Sequence, residues 1–214
     1  MLRYFIYLPL NLICMVLCYI TNPFVVLFAN EVGDLPKIFK LWQTWDGSVD
    51  DEGYLTEDCP KWCRYDFYKH YKPYREPVYG NHEKRCVELI NPNFTTKERI
   101  LRYICRVLWL TRNCGYGFAY YIFGININAK DMKKVYGKYQ QVKGENRSLE
   151  NWVKKDTNIL LAPFKIKNDL VFFNNKLEFN WYMGWKVDLG LYENHRAMIA
   201  NRISIRKAKF KNIL

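Results

Sequence analysis

The feature that most constrains this chain is an uncharged, apolar stretch close to its amino terminus. No Asp, Glu, Lys or Arg occurs between Tyr4 and Asn30, and the apolar part of the stretch runs from Phe5 to Ala29. As an α-helix, a segment of that length reaches about 37 Å, against roughly 30 Å for the hydrocarbon core of a bilayer. The length and the composition therefore predict a membrane anchor.

Two membrane arrangements fit this anchor. In one, a single kinked helix crosses the bilayer, with Pro9 near its first turn, where the missing N–H of proline costs least. In the other, Asn22-Pro23 bends the chain into a re-entrant hairpin, because the residue before proline disfavours the α-helical region. A signal peptide and a buried helix of a soluble protein are the remaining alternatives, but the prolines and the length of the run argue against them.

Charge divides the rest of the chain. Residues 31–60 carry eight acidic and two basic side chains, whereas residues 61–214 carry thirty basic and thirteen acidic ones. We therefore predict a membrane anchor at 1–30, an acidic collar with an interfacial helix at 31–58, and a basic α+β domain at 59–214. A positive body suits an anionic lipid bilayer, a nucleic acid or a large partner.

The collar contains the segment LPKIFKLWQTW at residues 35–45, which predicts a short amphipathic helix with Pro36 in its first turn. Its Trp42 and Trp45 fall on the apolar face, and tryptophan is enriched at membrane interfaces. We therefore expect both indoles to face lipid, with an ordinary core helix as the alternative.

A second helix is predicted to begin at Thr96 and to end near Leu110, because Thr95 and Glu98 have the spacing of a capping box. Three arginines recur on one face of this helix, namely Arg99, Arg102 and Arg106. Such a stripe is typical of an interfacial helix whose arginines reach anionic headgroups. A core helix with one solvated arginine face is the alternative.

The periodicity changes in the second half of the chain. Residues 111–124 are glycine-rich and nearly uncharged after Arg112, and they predict a buried strand or glycine-permitted close packing against the anchor. A second membrane dip is the alternative. Residues 130–158 are polar and predict a solvated helix or loop, whereas apolar alternation predicts strands at 160–173, 176–187 and 198–206. The expected fold class is α+β, with an amino-terminal membrane helix or re-entrant hairpin, a helical middle and a carboxy-terminal antiparallel sheet.

Two closely spaced pairs of side chains offer metal ligands. Cys59 and Cys63 are followed by His82 and Cys86, and three thiolates with one imidazole make a suitable tetrahedral zinc set. Zinc is therefore a candidate cofactor at these four positions. The alternative is buried free thiols and a surface histidine.

A carboxylate–imidazole group is a second candidate. Asp46, Asp66 and His70, with Asp50 and Asp51 close in sequence, have the groups to hold a divalent cation, as a membrane-bound metal-dependent enzyme would. An exposed acidic loop is the alternative. The sequence contains no nucleophile elbow, P-loop, dinucleotide loop or zinc-protease motif, so a non-enzymatic role is favoured.

Cysteine content points to the compartment. The chain has seven cysteines, and an odd number argues against a disulfide framework. We therefore expect the bulk of the chain to lie in a reducing cytoplasm. Because no nucleic-acid-binding motif occurs, nucleic acid is a less favoured partner than lipid or protein.

Several stretches resemble an uncharacterised family of membrane-associated proteins encoded by tailed bacteriophages. They are RYFIYLPLNLICMVLCYITNPFVVLFA, LWQTWD, RYDFYKHY, RILRYICRVLWLTRNCGYGFAYYIFG and MGWKVD. The resemblance spans most of residues 2–124. It implies a phage product acting at or in the inner membrane of its bacterial host, and it transfers no active-site residue.

Taken together, the sequence predicts a membrane-anchored phage accessory protein at the cytoplasmic face of the host inner membrane. It would bind an unidentified host or phage protein there, in host takeover, exclusion or counter-defence. Two alternatives stay open: a membrane-bound metal-dependent enzyme using Asp46, Asp66 and His70, and a membrane tether for nucleic acid.

Overall fold

The computed structural model describes residues 2–44, 47–79, 82–142, 145–154, 164–172, 177–186 and 194–207. The chain forms two compact units. The sheet unit comprises Met1–Leu10 with Phe123–Leu214, and the helical unit comprises Asn11–Ile122. The predicted α+β class is confirmed, with an amino-terminal apolar helix, further helices and antiparallel carboxy-terminal strands. The division at residues 30 and 58 stays a prediction.

Helix α1 runs without interruption over Leu2–Val25 and is extended by a 3₁₀ turn at Val26–Phe28. It passes through both Pro9 and Pro23, so the bend expected at Asn22-Pro23 does not form. Of the two anchor arrangements predicted from the sequence, the structure favours the single helix.

The helical unit continues with short elements. Its 3₁₀ helices cover Lys37–Trp42 and Lys61–Cys63, a π-helical turn covers Tyr54–Asp58, and helix α2 covers Phe67–His70. The amphipathic helix expected at 35–45 is thus a 3₁₀ helix that begins after Pro36.

A β-hairpin, a helix and a second π-helical turn complete the helical unit. The hairpin pairs β1 (Tyr71–Tyr79) with β2 (His82–Leu89). Apolar and polar residues show little regular alternation in this segment. Helix α3 runs over Thr96–Arg112, and the second π-helical turn covers Phe118–Ile122.

The start of α3 confirms the predicted capping box. The backbone N–H of Glu98 donates to Thr95 Oγ1 at 3.2 Å, and the backbone N–H of Thr95 donates to Glu98 Oε2 at 2.7 Å. The two bonds satisfy donors that a helix leaves free at its amino terminus. The helix ends two residues beyond the predicted Leu110.

Residues 111–124 form a turn and a π-helical segment rather than a strand. Gly115 has a φ of +70°, and a Cβ on it would lie 2.7 Å from Met15 Cγ of α1. A Cβ on Gly117 would collide with the Leu41 carbonyl. The strand prediction is therefore wrong, and the alternative of glycine-permitted close packing against the anchor helix is correct.

The sheet unit contains an antiparallel five-stranded sheet in the order β4-β5-β6-β7-β9. Its strands are β4 (Met132–Val142), β5 (Glu145–Lys154), β6 (Phe164–Phe172), β7 (Leu177–Trp185) and β9 (Ile199–Lys207). A separate short antiparallel pair joins β3 (Ile125–Asn128) to β8 (Asn194–Ala197). The strands predicted at 160–173, 176–187 and 198–206 correspond to β6, β7 and β9.

The prediction of a solvated helix or loop at 130–158 is wrong, because this segment forms the β4–β5 hairpin. Its polar composition does not exclude strands, since an antiparallel sheet can face water on one side. The segment from 155 to 158 lies outside the described residues.

The first turn of α1 belongs to the core of the sheet unit. The Tyr4 ring packs edge-on against Phe164 and Trp185, with centroids 5.0 and 5.6 Å away. Its hydroxyl donates to the Ala200 carbonyl at 3.1 Å. The sheet unit thus closes around residues from both ends of the chain.

Candidate functional site

The outer face of α1 and its 3₁₀ extension is apolar and exposed. Thirteen large hydrophobic side chains are each at least 43% exposed there: Leu2, Phe5, Ile6, Leu10, Leu12, Ile13, Val16, Leu17, Tyr19, Ile20, Phe24, Leu27 and Phe28. Contiguous apolar patches of this kind are rare on soluble monomers and mark interaction surfaces. Among the described residues, Leu2–Phe28 is the helix that is long and apolar enough to cross a membrane.

The buried face of α1 is comparatively polar. Tyr4, Asn11, Cys18 and Asn22 are buried there, at the seven- and four-residue spacings of one helical face. Asn22 Nδ2 lies 3.5 Å from Thr111 Oγ1 of α3. A water-soluble helix turns its polar side outward, whereas a helix in lipid turns polar groups toward protein. In α1 the apolar side is exposed, and Asn11 and Asn22 are buried against the protein.

Trp42 contacts the inner side of α1 near its carboxyl end. Its indole N–H donates to Thr21 Oγ1 at 2.8 Å, and its ring packs edge-on against Phe118 with centroids 5.2 Å apart. The side chain is half-buried, so the expected lipid-facing indole is partly used for packing within the unit. Trp45 lies outside the described residues.

The three arginines predicted as one headgroup-binding stripe are divided by the structure. Arg106 is buried and holds Asp50 with two contacts, Nε to Oδ1 at 2.8 Å and Nη2 to Oδ2 at 2.6 Å. Arg102 lies over the Phe94 ring at 4.7 Å and approaches Asp50 at 3.4 Å. Arg99 is exposed. Arg102 and Arg106 turn inward because a buried carboxylate lies opposite them.

Asp50 is the centre of this ionic group. It is 2% exposed and also accepts a hydrogen bond from the Tyr71 hydroxyl at 3.1 Å. Burial alone would lower the pKa of Arg106, but the hydrogen bonds and the charge of Asp50 hold that pKa above its usual value. The adjacent Asp51 is also buried and pairs with Arg85 at 3.1 Å. Both carboxylates therefore serve ion pairs within the fold.

The carboxylate–imidazole group predicted from sequence does not converge among the described residues. Asp66 caps α2 by accepting from the backbone N–H of Lys69. His70 is buried, with Nδ1 2.9 Å from the Asn91 carbonyl and its ring stacked on Phe94 at 3.8 Å. Asp46 lies outside the described residues.

Glu98 links His70 to the start of α3. Its Oε1 lies 3.3 Å from His70 Nε2 and 2.8 Å from Lys69 Nζ. The hydrogen bond from Lys69, followed by those from Thr95, holds the pKa of Glu98 well below its usual value. A negative carboxylate at this helix start is also favoured by the helix dipole.

Three buried thiols meet in the helical unit. Cys59 Sγ lies 3.1 Å from Cys63 Sγ and 3.3 Å from Cys105 Sγ, and all three ligand atoms lie within 4.8 Å of one another. Burial, above all, raises the pKa of Cys59 to about 11. In the part of the chain that the structure describes, this is the group of His, Cys, Asp or Glu side chains arranged to hold a metal ion.

The structure brings together two of the four residues of the predicted zinc set. Cys59 and Cys63 come together, but the third thiol beside them is Cys105. Cys86 lies in the hairpin, opposite Tyr74, and the side chain of His82 lies outside the described residues. Cys105 is 42 residues beyond Cys63 and lies on another element, so local spacing could not reveal it. The structure remains compatible with a metal such as zinc at the thiol cluster.

These features define a class of protein: an α+β chain whose amino-terminal helix turns its apolar side outward and its polar side toward the protein. The chain belongs to a family of unknown function, DUF7338, whose model matches residues 1–211. This agrees with the uncharacterised family expected from the sequence. No curated protein and no solved structure matches the chain.

Proposed function

We propose that this protein is a membrane-anchored accessory protein that uses α1 to bind a bilayer and acts there by binding another protein. The outer face of α1 supports the anchor, because it is apolar along the helix and carries no charge from Tyr4 to the end of the helix. The polar residues of the same helix face the protein, as they do in membrane proteins.

The finer part of the proposal concerns the setting. The resemblance to tailed-phage proteins supports a phage product that acts in host takeover, exclusion or counter-defence. Seven free thiols, three of them in mutual contact, support a reducing compartment. The proposed location is therefore the cytoplasmic face of the host inner membrane, with anionic lipid and a host or phage protein as partners.

A protein-binding role is preferred to catalysis because the buried acidic groups are committed to ion pairs. Asp50 contacts Arg106 and Asp51 contacts Arg85, so neither carboxylate is presented as a cation ligand. A membrane-bound enzyme using Asp46, Asp66 and His70 remains the second candidate, and a nucleic-acid tether the third.

The anchor is tested by flotation of the purified full chain with vesicles that contain anionic lipid. A variant with Ile13→Glu and Ile20→Glu places two charges on the outer face of α1, where each costs about 2.5–3.5 kcal/mol in a membrane. We expect the wild type to float and this variant to stay with the protein fraction. Ile100→Glu, at an exposed apolar position of α3, is the matched control and should float.

Equal flotation of the double variant and the wild type would refute the anchor. So would a wild-type protein that is monodisperse without detergent. Circular dichroism in detergent confirms that the compared chains share one fold.

The partner is tested by cross-linking in membranes before detergent extraction. A protein enriched with the wild type and lost with the outer-face variant supports membrane-dependent protein binding. The tether would instead be favoured if nucleic acid is recovered with the chain and nuclease treatment releases all of the bound protein.

A further inference from the structure

The thiol cluster joins three separate elements of the helical unit. Cys59 follows the π-helical turn Tyr54–Asp58, Cys63 ends the 3₁₀ helix Lys61–Cys63, and Cys105 lies in the middle of α3. Each of the three residues is at most 2% exposed. Three thiols from three elements thus meet at one point of the core, as the ligands of one ion would.

We propose that Cys59, Cys63 and Cys105 bind one thiophilic metal ion of the Cu(I) or Zn(II) class, which fastens the segment 54–63 to α3. Thiolates are the ligands that select these ions among biological metals. Metal–sulfur bonds of about 2.3 Å place sulfur atoms roughly 3.8–4.0 Å apart in tetrahedral or trigonal geometry. The thiols therefore need to move outward by only about half an ångström to accept the ion.

The number of donors bears on which ion fits. Three sulfur atoms complete a trigonal site for Cu(I), whereas structural zinc is almost always four-coordinate and needs a further donor beside the three thiols. In the part of the chain that the structure describes, the cluster of candidate ligands contains these three residues. The two ions thus share one binding chemistry and differ in coordination number.

The surrounding charge suits a metal–thiolate group. Three thiolates leave one negative charge around Zn(II) and two around Cu(I), and a buried charge is costly without compensation. The Arg64 side chain donates from Nε to the Cys59 carbonyl at 2.7 Å, so a guanidinium lies next to the cluster. Its positive charge offsets one of these negative charges.

A disulfide between Cys59 and Cys63 is the competing use of the same residues. It would join two of the three sulfur atoms and leave the Cys105 thiol without a role. The observed separation of 3.1 Å is about 1 Å longer than a disulfide bond.

The proposal is tested on the full chain purified in detergent under reducing, anaerobic conditions. The protein is loaded separately with Zn(II) and with Cu(I), freed of excess ion, and its metal content is measured by mass spectrometry. We expect one ion per chain in the wild type. Cys105→Ser should lower the affinity by more than the roughly 10–100-fold that outer-shell substitutions cost. Cys86→Ser removes a buried thiol outside the cluster and should bind like the wild type.

A second measurement uses the wild-type chain alone, so its result does not depend on whether the variants fold. Bound metal should slow alkylation of Cys59, Cys63 and Cys105 and leave the rate at Cys86 unchanged. Failure of both ions to bind the wild type, or equal affinity in Cys105→Ser, would overturn the proposal. A Cys59–Cys63 disulfide trapped in cells would overturn it as well. These measurements are made in detergent, so their outcome is independent of the membrane proposal.

Discussion

Helix α1 turns Asn22 toward the protein and Ile20 outward, whereas α3 turns Arg106 toward the protein and Arg99 outward. Both helices therefore bury polar groups, and Asn22 and Arg106 each have a partner on another element. The helices differ on their outer sides. The exposed side of α3 carries charge, as a helix in water requires, whereas that of α1 carries none from Tyr4 to the end of the helix.

The polarity of its outward face, compared with that of its buried face, thus indicates whether a helix lies in water or in lipid. The arginine stripe of α3 predicted contact with lipid headgroups, yet Arg106 pairs with Asp50 within the fold. Conversely, the buried asparagines of α1 lie opposite an outward face that is apolar and exposed.

The largest effect should come from removing the buried charge of α3. Arg106→Leu leaves the Asp50 carboxylate without its two-contact partner, and loss of one member of a buried pair costs about 3–5 kcal/mol. We expect that decrease in the free energy of unfolding, measured by denaturant titration in detergent. Arg99→Leu, at the exposed position, should change it by less than about 0.5 kcal/mol. Similar stability for the two variants would remove the distinction between inner and outer arginines.

The contact between the end of α3 and α1 should give the next largest effect. Gly115→Ala places a Cβ 2.7 Å from Met15 Cγ and 3.3 Å from Met15 Cα, and overpacking of this kind costs about 1–3 kcal/mol. Thermal unfolding in detergent measures the loss. Met15→Ala in the same chain should recover part of it, because the clash is relieved while the positive φ of Gly115 persists. No recovery would mean that the two helices do not meet at this point.

Loss of the helix cap at the solvated start of α3 should have a smaller effect on stability. Thr95→Ala removes the cap of the helix, which costs about 1 kcal/mol. The free energy of unfolding should decrease by that amount. Vesicle flotation should be unchanged, because this end of α3 is exposed and charged. A loss of flotation in this variant would contradict the assignment of membrane binding to α1 alone.

The smallest effect concerns pH. The pKa of Glu98 is lower in the folded protein than in the unfolded chain, so its contribution to stability is fully present above the unfolded pKa of about 4.3. That contribution decreases as the pH falls through the lower folded pKa. Glu98→Gln should therefore flatten the acid side of the stability profile measured by thermal unfolding. An unchanged profile would show that Lys69 and Thr95 do not favour the ionised carboxylate.

Features encoded locally could be predicted from the sequence. The uncharged run gives α1, the capping box of Thr95 and Glu98 gives the start of α3, and apolar alternation gives β6, β7 and β9. The β4–β5 hairpin was missed because its strands are polar. The Asp50–Arg106 pair and the Cys105 thiol depend on contacts between residues 56 and 42–46 positions apart, which spacing within one element cannot express.

The hydrogen bond from Tyr4 to the Ala200 carbonyl also sets an order of events during synthesis. These residues are 196 positions apart, so at roughly 5–20 residues per second the ribosome needs about 10–40 s to supply the acceptor after the donor. For most of that interval the apolar amino-terminal segment is outside the ribosome without the strands that later cover its first turn. Lipid or a chaperone can therefore bind this segment first, and the sheet unit can pack around Tyr4 only afterwards.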